Sequence, residues 1–267
     1  MVNRIPKSGA AMIVSVIGIS ALAFLLLSFT ASRCDAEKAG KTPTAEQILE
    51  KFVEASGGRA AYDKFQNSVS KGTLEIPAAG ITIDITVYAA RPNKMSTIAE
   101  SPAIGKTERG TNGTIFWEKT TMQGTRVLEG EELAEALRES AFEGLVYWRQ
   151  QYDSLAVSGI DTVAGSPCYK VVVKAKGGKP RTLSFDQKSG LLLKTETTVA
   201  TQMGNIPVES FPSDYRKVGD VLQSYKSTVK VMGQERVMTM TSVEYNASIP
   251  DSVFAVPADV QALLEKK

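Results

Sequence analysis

Residues 81–87 read Ile-Thr-Ile-Asp-Ile-Thr-Val, with apolar and polar side chains in strict alternation. Successive side chains of a strand point to opposite faces, so this pattern predicts a β-strand with one buried and one exposed face. Similar runs recur at 69–76, 94–99, 105–109, 114–118, 126–128, 169–174, 182–186, 191–199, 208–215, 225–232 and 236–245. Turn-forming stretches such as Arg91-Pro92-Asn93 and Gly177-Gly178 separate the runs at hairpin distances. The sequence therefore predicts a large antiparallel sheet built from meanders.

Two longer stretches have helical periodicity instead. Thr44 and Gln47 form a predicted capping box, and Gly57-Gly58 is expected to end the first helix, with a short helical piece after it. The second helix is predicted to begin with carboxylates at Glu131 and Glu132, which are favourable near a helix N-terminus. Its apolar stripe comprises Leu133, Leu137, Ala141, Leu145, Trp148 and Tyr152. These helices need an apolar partner, so we expect an α+β fold in which a few helices cover one face of a curved sheet.

The first 36 residues are predicted to direct export. Arg4 and Lys7 precede an uncharged run over 8–32, which is long enough for a cleavable signal or for a membrane-spanning anchor. The small residues Cys34 and Ala36 favour cleavage after Ala36. Lipidation of Cys34 is a third alternative, but a bulky Arg33 does not suit it. We expect a signal peptide or anchor at 1–36, a linker at 37–43 and one domain at 44–267, located in the bacterial envelope, periplasmic or membrane-anchored.

Composition excludes several functions. The 267 residues include 31 Lys and Arg, 29 Asp and Glu and no His, so no catalytic triad containing His and no His-containing zinc site can form. Removing the three basic and one acidic residues of 1–36 leaves 28 of each sign. A neutral body gives no general electrostatic footprint for nucleic acid, so we expect no nucleic-acid partner.

The remaining candidates for chemistry are also weak. Ser68 with Lys71, and Ser227 with Lys230, have the spacing of a serine/lysine pair, but residues three apart on a strand point to opposite faces. Glu129, Glu131 and Glu132 are expected to be a solvated helix start rather than a metal site. Cys168 is expected to be a buried structural thiol. We predict no catalytic residue, metal or cofactor, and so no enzyme.

Several turn and strand-end patterns resemble those of the LolA/LolB-like family of bacterial outer-membrane lipoprotein-sorting proteins. The resemblance spans roughly 44–257. Its carriers are Gly57-Gly58, Lys71-Gly72-Thr73, Arg91-Pro92-Asn93-Lys94, the stretch from Gly110 to Trp117, and residues 185–192, 214–221 and 246–254. The resemblance implies an unclosed, strongly curved antiparallel sheet, a half-barrel covered by helices over an apolar cavity. It also implies a carrier that shelters the acyl chains of a lipoprotein or another lipid.

A ligand cavity is expected between the sheet and the second helix, because alternation places many apolar side chains on buried faces. The predicted hydrophobic ligand-binding residues are Ile83, Ile85, Trp117, Leu137, Leu145, Trp148, Val171, Val173, Leu183 and Phe185. The first functional hypothesis is a carrier or receptor that binds lipid or lipoprotein acyl chains and works with membrane-associated proteins in lipoprotein sorting. The alternative is a structural or sensing module of the envelope that binds a protein partner through the edge strands of the same fold.

Overall fold

A computed structural model describes residues 42–121, 124–201 and 204–265, and its strands form a single antiparallel sheet. The predicted export segment, its candidate spanning run and Cys34 lie outside the described residues. The thirteen described strands are β1 (Asn67–Ile76), β2 (Ile81–Ala90), β3 (Lys94–Ser101), β4 (Gly105–Thr111), β5 (Phe116–Thr120), β6 (Gly124–Val127), β7 (Ser154–Val163), β8 (Ser166–Lys174), β9 (Arg181–Asp186), β10 (Leu192–Thr201), β11 (Gly204–Val218), β12 (Val221–Val231) and β13 (Gln234–Tyr245). The predicted large antiparallel sheet is confirmed.

The sheet consists of two meanders joined in its middle. Its order is β6-β5-β4-β3-β2-β1-β13-β12-β11-β10-β9-β8-β7, so the first meander runs from β1 to β6 and the second from β7 to β13. The two meet where β1 pairs with β13. Within the described residues β6 and β7 do not pair with each other, and the sheet remains open, as the resemblance implies.

Five α-helices accompany the strands in the described part of the chain. They are α1 (Ala45–Ala55), α2 (Arg59–Tyr62), α3 (Gly130–Glu139), α4 (Trp148–Gln151) and α5 (Ala258–Leu264), with single 3-10 turns at Pro77–Ala79 and Asp251–Phe254. The combination confirms the α+β class. Across residues 42–121, 124–201 and 204–265, no helix has both the length and the apolar character needed to cross a membrane.

Local sequence explains where α1 begins and ends. The Thr44 hydroxyl accepts a hydrogen bond from the Gln47 amide, and the Gln47 side chain accepts one from the Thr44 amide, which completes the predicted capping box. At the other end Gly57 has φ +125°, and a Cβ at this position would lie 2.5 Å from the Asp220 carbonyl oxygen. Only glycine allows this approach of the helix end to the sheet.

The central pairing of the two meanders also requires a glycine. The register of β1 and β13 shifts between Lys71 and Gly72, as in a β-bulge. A Cβ on Gly72 would lie 2.2 Å from the Thr239 carbonyl oxygen. The close backbone contact at this bulge therefore depends on the missing side chain.

Three elements differ from the sequence prediction. The second helix does not continue from Glu131 to Tyr152: α3 ends at Glu139, and Leu145 lies in the irregular segment before α4. The break is stabilised from outside the helix, because the Phe142 amide donates to the Pro92 carbonyl, and Glu143 adopts a left-handed φ of 52°. Strand β7 and helix α5 were not predicted.

Candidate functional site

The two longest helices pack on the same face of the sheet, which we call the inner face. Helix α1 lies on β7 and β8, while α3 contacts β5 and β10. The strand register places Leu74, Ile83 and Met238 side by side on this face, and Val171 with Leu183 further along it. The opposite, outer face carries residues such as Asp84 and Thr239.

Helix α1 and its neighbours form the main packed cluster on the inner face. The Phe52 ring lies 5.6 Å from the Phe185 ring, and the Leu49 and Val53 side chains are fully buried. Of the predicted ligand-binding residues, Trp148, Val171, Val173, Leu183 and Phe185 are buried in this cluster, and Leu145 packs against it half-buried. The structure therefore brings these six together as core residues, and a role for them in ligand binding stays a prediction.

A smaller cluster lies under α3, towards the β6 edge. Phe116, Leu128 and Ala136 are buried there, with Met95 and Leu133 packed against them. Leu137 of the predicted set is half-buried on α3 and lines an open pocket of about 390 Å³ beside Arg91 and Tyr147. Leu137 is thus separate from the α1 cluster.

Between the two clusters the inner face carries an apolar strip, which we call the apolar floor. It consists of Leu74, Ile83, Ile85, Val229, Met238 and Met240 on β1, β2, β12 and β13. The main helix contacts of this face fall on other strands, and none of the six residues belongs to either packed cluster. Ile83 and Ile85 are 4% and 6% exposed, whereas the other four side chains are only half-buried.

Trp117 is the one predicted ligand-binding residue that lies on the outer face. It is opposite Gly110 and Val127 in the register, whereas its neighbour Phe116 faces α3. Trp117 lines an open outer pocket of about 250 Å³ with Val253 and Pro257 of the C-terminal segment. The thickness of the sheet separates it from the apolar floor, so it does not line the same space.

Helix α3 is held across the inner face by ion pairs to both meanders. Arg126 on β6 bonds Glu132 at 2.7 Å, and Arg181 on β9 bonds Glu139 at 2.8 Å and also Glu135. Burial raises the pKa of Glu135, but hydrogen bonds from Arg138 and Arg181 outweigh burial and hold that pKa below its usual value. The helix therefore connects the two halves of the sheet next to the apolar floor.

A polar network closes the space beneath the α3–α4 segment. Tyr245 donates a hydrogen bond to the Glu143 carboxylate at 2.7 Å, and the Phe65 ring stacks on Tyr245 with centroids 3.8 Å apart. Burial raises the pKa of Glu143. The Arg91 guanidinium bonds the Tyr147 hydroxyl at 2.7 Å and the Phe65 carbonyl at 2.6 Å. These contacts fix the irregular segment that contains Leu145.

The candidate nucleophiles of the sequence are placed as structural residues. Ser68 and Lys71 lie on one strand, β1, with Ser68 buried and Lys71 exposed on the other face. Cys168 is a free, buried thiol, and burial raises its pKa. Glu131 and Glu132 are paired with Lys179 and Arg126. The described ranges contain no group of three or more His, Cys, Asp or Glu residues arranged to hold a metal ion.

Comparison with known proteins identifies the fold. No family model and no curated protein matches the sequence. Among solved structures, a DUF1329 family protein from Desulfovibrio piger matches with a TM-score of 0.56 at 14% identity, over 80% of this chain and 98% of that one. A putative outer membrane lipoprotein-sorting protein domain from Vibrio parahaemolyticus gives 0.55 at 10% identity, over 79% and 97%. A LolA superfamily protein from Nitrosomonas europaea gives 0.53 at 14%, over 80% and 99%.

These likenesses define the class of fold. At 10–14% identity they show a shared architecture rather than a shared activity. The chain has a LolA-like fold, and the resemblance stated from its turn and strand-end patterns is confirmed at that level.

The sequence prediction of the site missed four residues of the apolar floor, Leu74, Val229, Met238 and Met240. A signal for two of them was present, because Val237-Met238-Thr239-Met240 alternates, and Met is common on surfaces that bind varied apolar partners. The other two lie in similar alternating strands. All four differ from core residues because α1 and α3 pack on other strands. Alternation alone does not predict where a helix packs on a sheet.

Proposed function

We propose that this chain binds acyl chains of a lipid or lipoprotein on its inner face, as a carrier or receptor in lipoprotein sorting within the bacterial envelope. The observation that carries the proposal is the apolar floor, a strip of two buried and four half-buried apolar side chains between two packed clusters. An acyl chain gains about 0.8 kcal/mol for each buried methylene, so a strip of this kind can hold one. The LolA-like fold supports the same function by analogy.

The residue composition of the floor suits flexible ligands. Two of its six side chains are Met238 and Met240, whose thioethers adapt to partners of varied shape. Ile83 and Ile85 provide a stiffer, buried margin on β2. Helix α3 lies alongside the strip, so an acyl chain on the floor would be sheltered between the sheet and that helix.

Native mass spectrometry tests the proposal on the full chain, expressed in a bacterial host, processed there and purified from the envelope without detergent. Lipid extraction of the same sample identifies copurifying acyl chains. We expect phospholipid or lipoprotein acyl chains in a defined stoichiometry, and uptake of a fluorescent fatty acid. An apo mass with no fatty-acid uptake would contradict the proposal.

Two neighbouring residues of β13 provide a matched pair of variants. Met240→Asp places a carboxylate on the apolar floor, whereas Thr239→Asp places one on the outer face of the same strand. Because an acyl chain cannot solvate a charge, Met240→Asp should weaken binding at least about tenfold. Thr239→Asp should leave binding unchanged. Equal binding by two folded variants would remove the floor from the site.

A second candidate function is supported by one feature of the sheet edge. Strand β7 is an edge strand of ten residues, and its Ile160 side chain is 65% exposed. The opposite edge strand, β6, contacts α5. A protein partner could add a strand to β7, which is the alternative inferred from the sequence. A copurifying polypeptide in stoichiometric amount that protects the β7 amides from hydrogen exchange, with no bound lipid, would favour this function.

A further inference from the structure

Arg109 is a charged residue of the inner face, and the register places it opposite Glu118 on β5. It lies on β4 opposite Thr97, which in turn lies opposite Val87 on β2, so its side chain shares the face of Ile83 and Ile85. Strands β1 to β4 are fully described, and the register assigns their other Asp, Glu, Lys and Arg residues to the outer face. Arg109 is therefore the charged group of this face nearest the floor on the β4 side.

The guanidinium of Arg109 has unused hydrogen-bonding capacity. Its centre lies 5.1 Å from the centroid of the Phe116 ring, which is a cation–π contact. The Nε atom is buried and has no hydrogen-bond partner among the described residues. Arg126, the next arginine towards the β6 edge, is by contrast bonded to both Glu118 and Glu132.

A buried donor without a partner is costly and calls for an explanation, and an acceptor atom on a bound ligand is one such explanation. A guanidinium fits carboxylate and phosphate oxygens in a two-bond geometry. From β4 to β13 the sheet spans four strand spacings, about 19 Å, over which Ile85 and Met240 provide apolar contacts. A charged head at Arg109 and an extended chain over the floor would therefore lie on one continuous face.

We infer that the inner face selects amphiphiles with an anionic headgroup, a carboxylate or a phosphate, that binds Arg109 while the acyl chain lies on the apolar floor. This inference rests on the proposed function and adds the class of ligand to it. Arg109 contributes charge and hydrogen bonds, and the floor contributes burial of the chain.

Three ligands with the same alkyl chain separate the two contributions. Hexadecanol is neutral, hexadecanoate carries a carboxylate and hexadecyl phosphate carries a phosphate, and each is measured by displacement of a neutral fluorescent lipid at pH 8. We expect both anions to bind the full-length protein about tenfold more tightly than the alcohol, because a hydrogen-bonded charged pair is stronger than a neutral contact. Preference for one anion over the other identifies the type of headgroup.

Variants of two cationic residues test the assignment to Arg109. Arg109→Gln should remove the tenfold preference for anions, and a cooperative urea unfolding transition verifies that this variant is folded. Arg109→Lys keeps the charge without the planar fork and should retain part of the preference. Lys71→Gln removes one positive charge from the outer face and should preserve the full preference.

The outcomes distinguish this inference from the proposed function. If hexadecanol binds and the anions bind no more tightly, or if Arg109→Gln keeps the preference, the inference is wrong and the proposed acyl-chain binding stands. If none of the three ligands binds, the proposed function itself fails.

Discussion

Replacement of Glu50 by Gln should destabilise the protein through the helices that cover the inner face. The Glu50 carboxylate on α1 bonds both terminal nitrogens of Arg59 on α2, at 2.6 and 2.8 Å, and also bonds Arg149 on α4. Hydrogen bonding from Arg59, together with Arg149, lowers the pKa of Glu50 from 4.5 to about 2, although burial opposes the change. The carboxylate thus connects three helices that come from distant parts of the chain.

The expected loss of stability follows from the pKa of Glu50 and from the exposure of the Glu50 and Arg149 side chains. A pKa lowered from 4.5 to about 2 corresponds to about 3 kcal/mol if it is fully expressed in stability. Glu50 is 29% exposed and Arg149 is 57% exposed, so solvent screening reduces the effect. We expect Glu50→Gln to lower the free energy of unfolding by about 1–2 kcal/mol at pH 7.

The sign of the pH dependence gives a second readout. The folded-state pKa of Glu50 is below its unfolded value, so its contribution is fully present above about pH 4.5 and is lost as the pH falls towards 2. The difference between wild type and Glu50→Gln should therefore be constant from pH 7 to pH 5 and should shrink at pH 4 and pH 3.

Urea unfolding followed by tryptophan fluorescence at these pH values measures the difference. Glu54→Gln is the matched control, because Glu54 is exposed on the same helix and makes no ion pair within the described residues. This control should change the free energy of unfolding by less than about 0.5 kcal/mol. If the two variants are equally stable at pH 7, or if the Glu50→Gln deficit persists undiminished at pH 3, the assignment of the pKa to the Arg59 contact is refuted.

Two further predictions concern the core. Phe185 is almost fully buried against Phe52, so Phe185→Ala should cost about 3–5 kcal/mol in urea unfolding, and a cost below about 1 kcal/mol would contradict its place in the main cluster. Cys168 is buried with a raised thiol pKa, so it should react slowly with an aromatic disulfide reagent in the folded protein and rapidly in urea; rapid reaction in the folded state would show that the thiol is accessible.

The sequence predicts much of the fold because its strands are half-buried and its turns contain glycine, proline and asparagine. Residues 81–87 alternate strictly and form most of β2 (Ile81–Ala90), as expected. Strand β7 was missed for a physical reason: its alternation is interrupted by a register shift between Val157 and Gly159, and it follows directly on a helical stripe. The second helix was predicted too long because Leu145 and Trp148 continue the helical spacing, although the chain there is fixed by Pro92 and Tyr245.

The candidate site is less predictable from the sequence than the fold. Alternation predicts that a side chain is buried, but it does not predict which helix or segment covers that side chain. Val171 and Ile85 are both apolar residues of predicted strands, but α1 packs on Val171, whereas Ile85 belongs to the strip between the clusters. The adjacent residues Phe116 and Trp117 are both buried, one under α3 and the other under the C-terminal segment. Only the positions of the helices, set by contacts between distant residues, distinguish core from floor.

The distribution of rigid and adaptable contacts supports the proposal that the middle of the inner face binds a ligand. The α1 cluster contains Phe52, Phe185 and β-branched residues. Removing one of their contacts lowers the stability of the fold. The floor instead contains Met238 and Met240, which repack at low cost. The ion pairs of Arg126 and Arg181 hold α3 at both sides of the floor. For the proposed ligand, an acyl chain of variable length, the floor is therefore better suited than the α1 cluster, and Arg109 would add the discrimination between headgroups that apolar contacts alone do not provide.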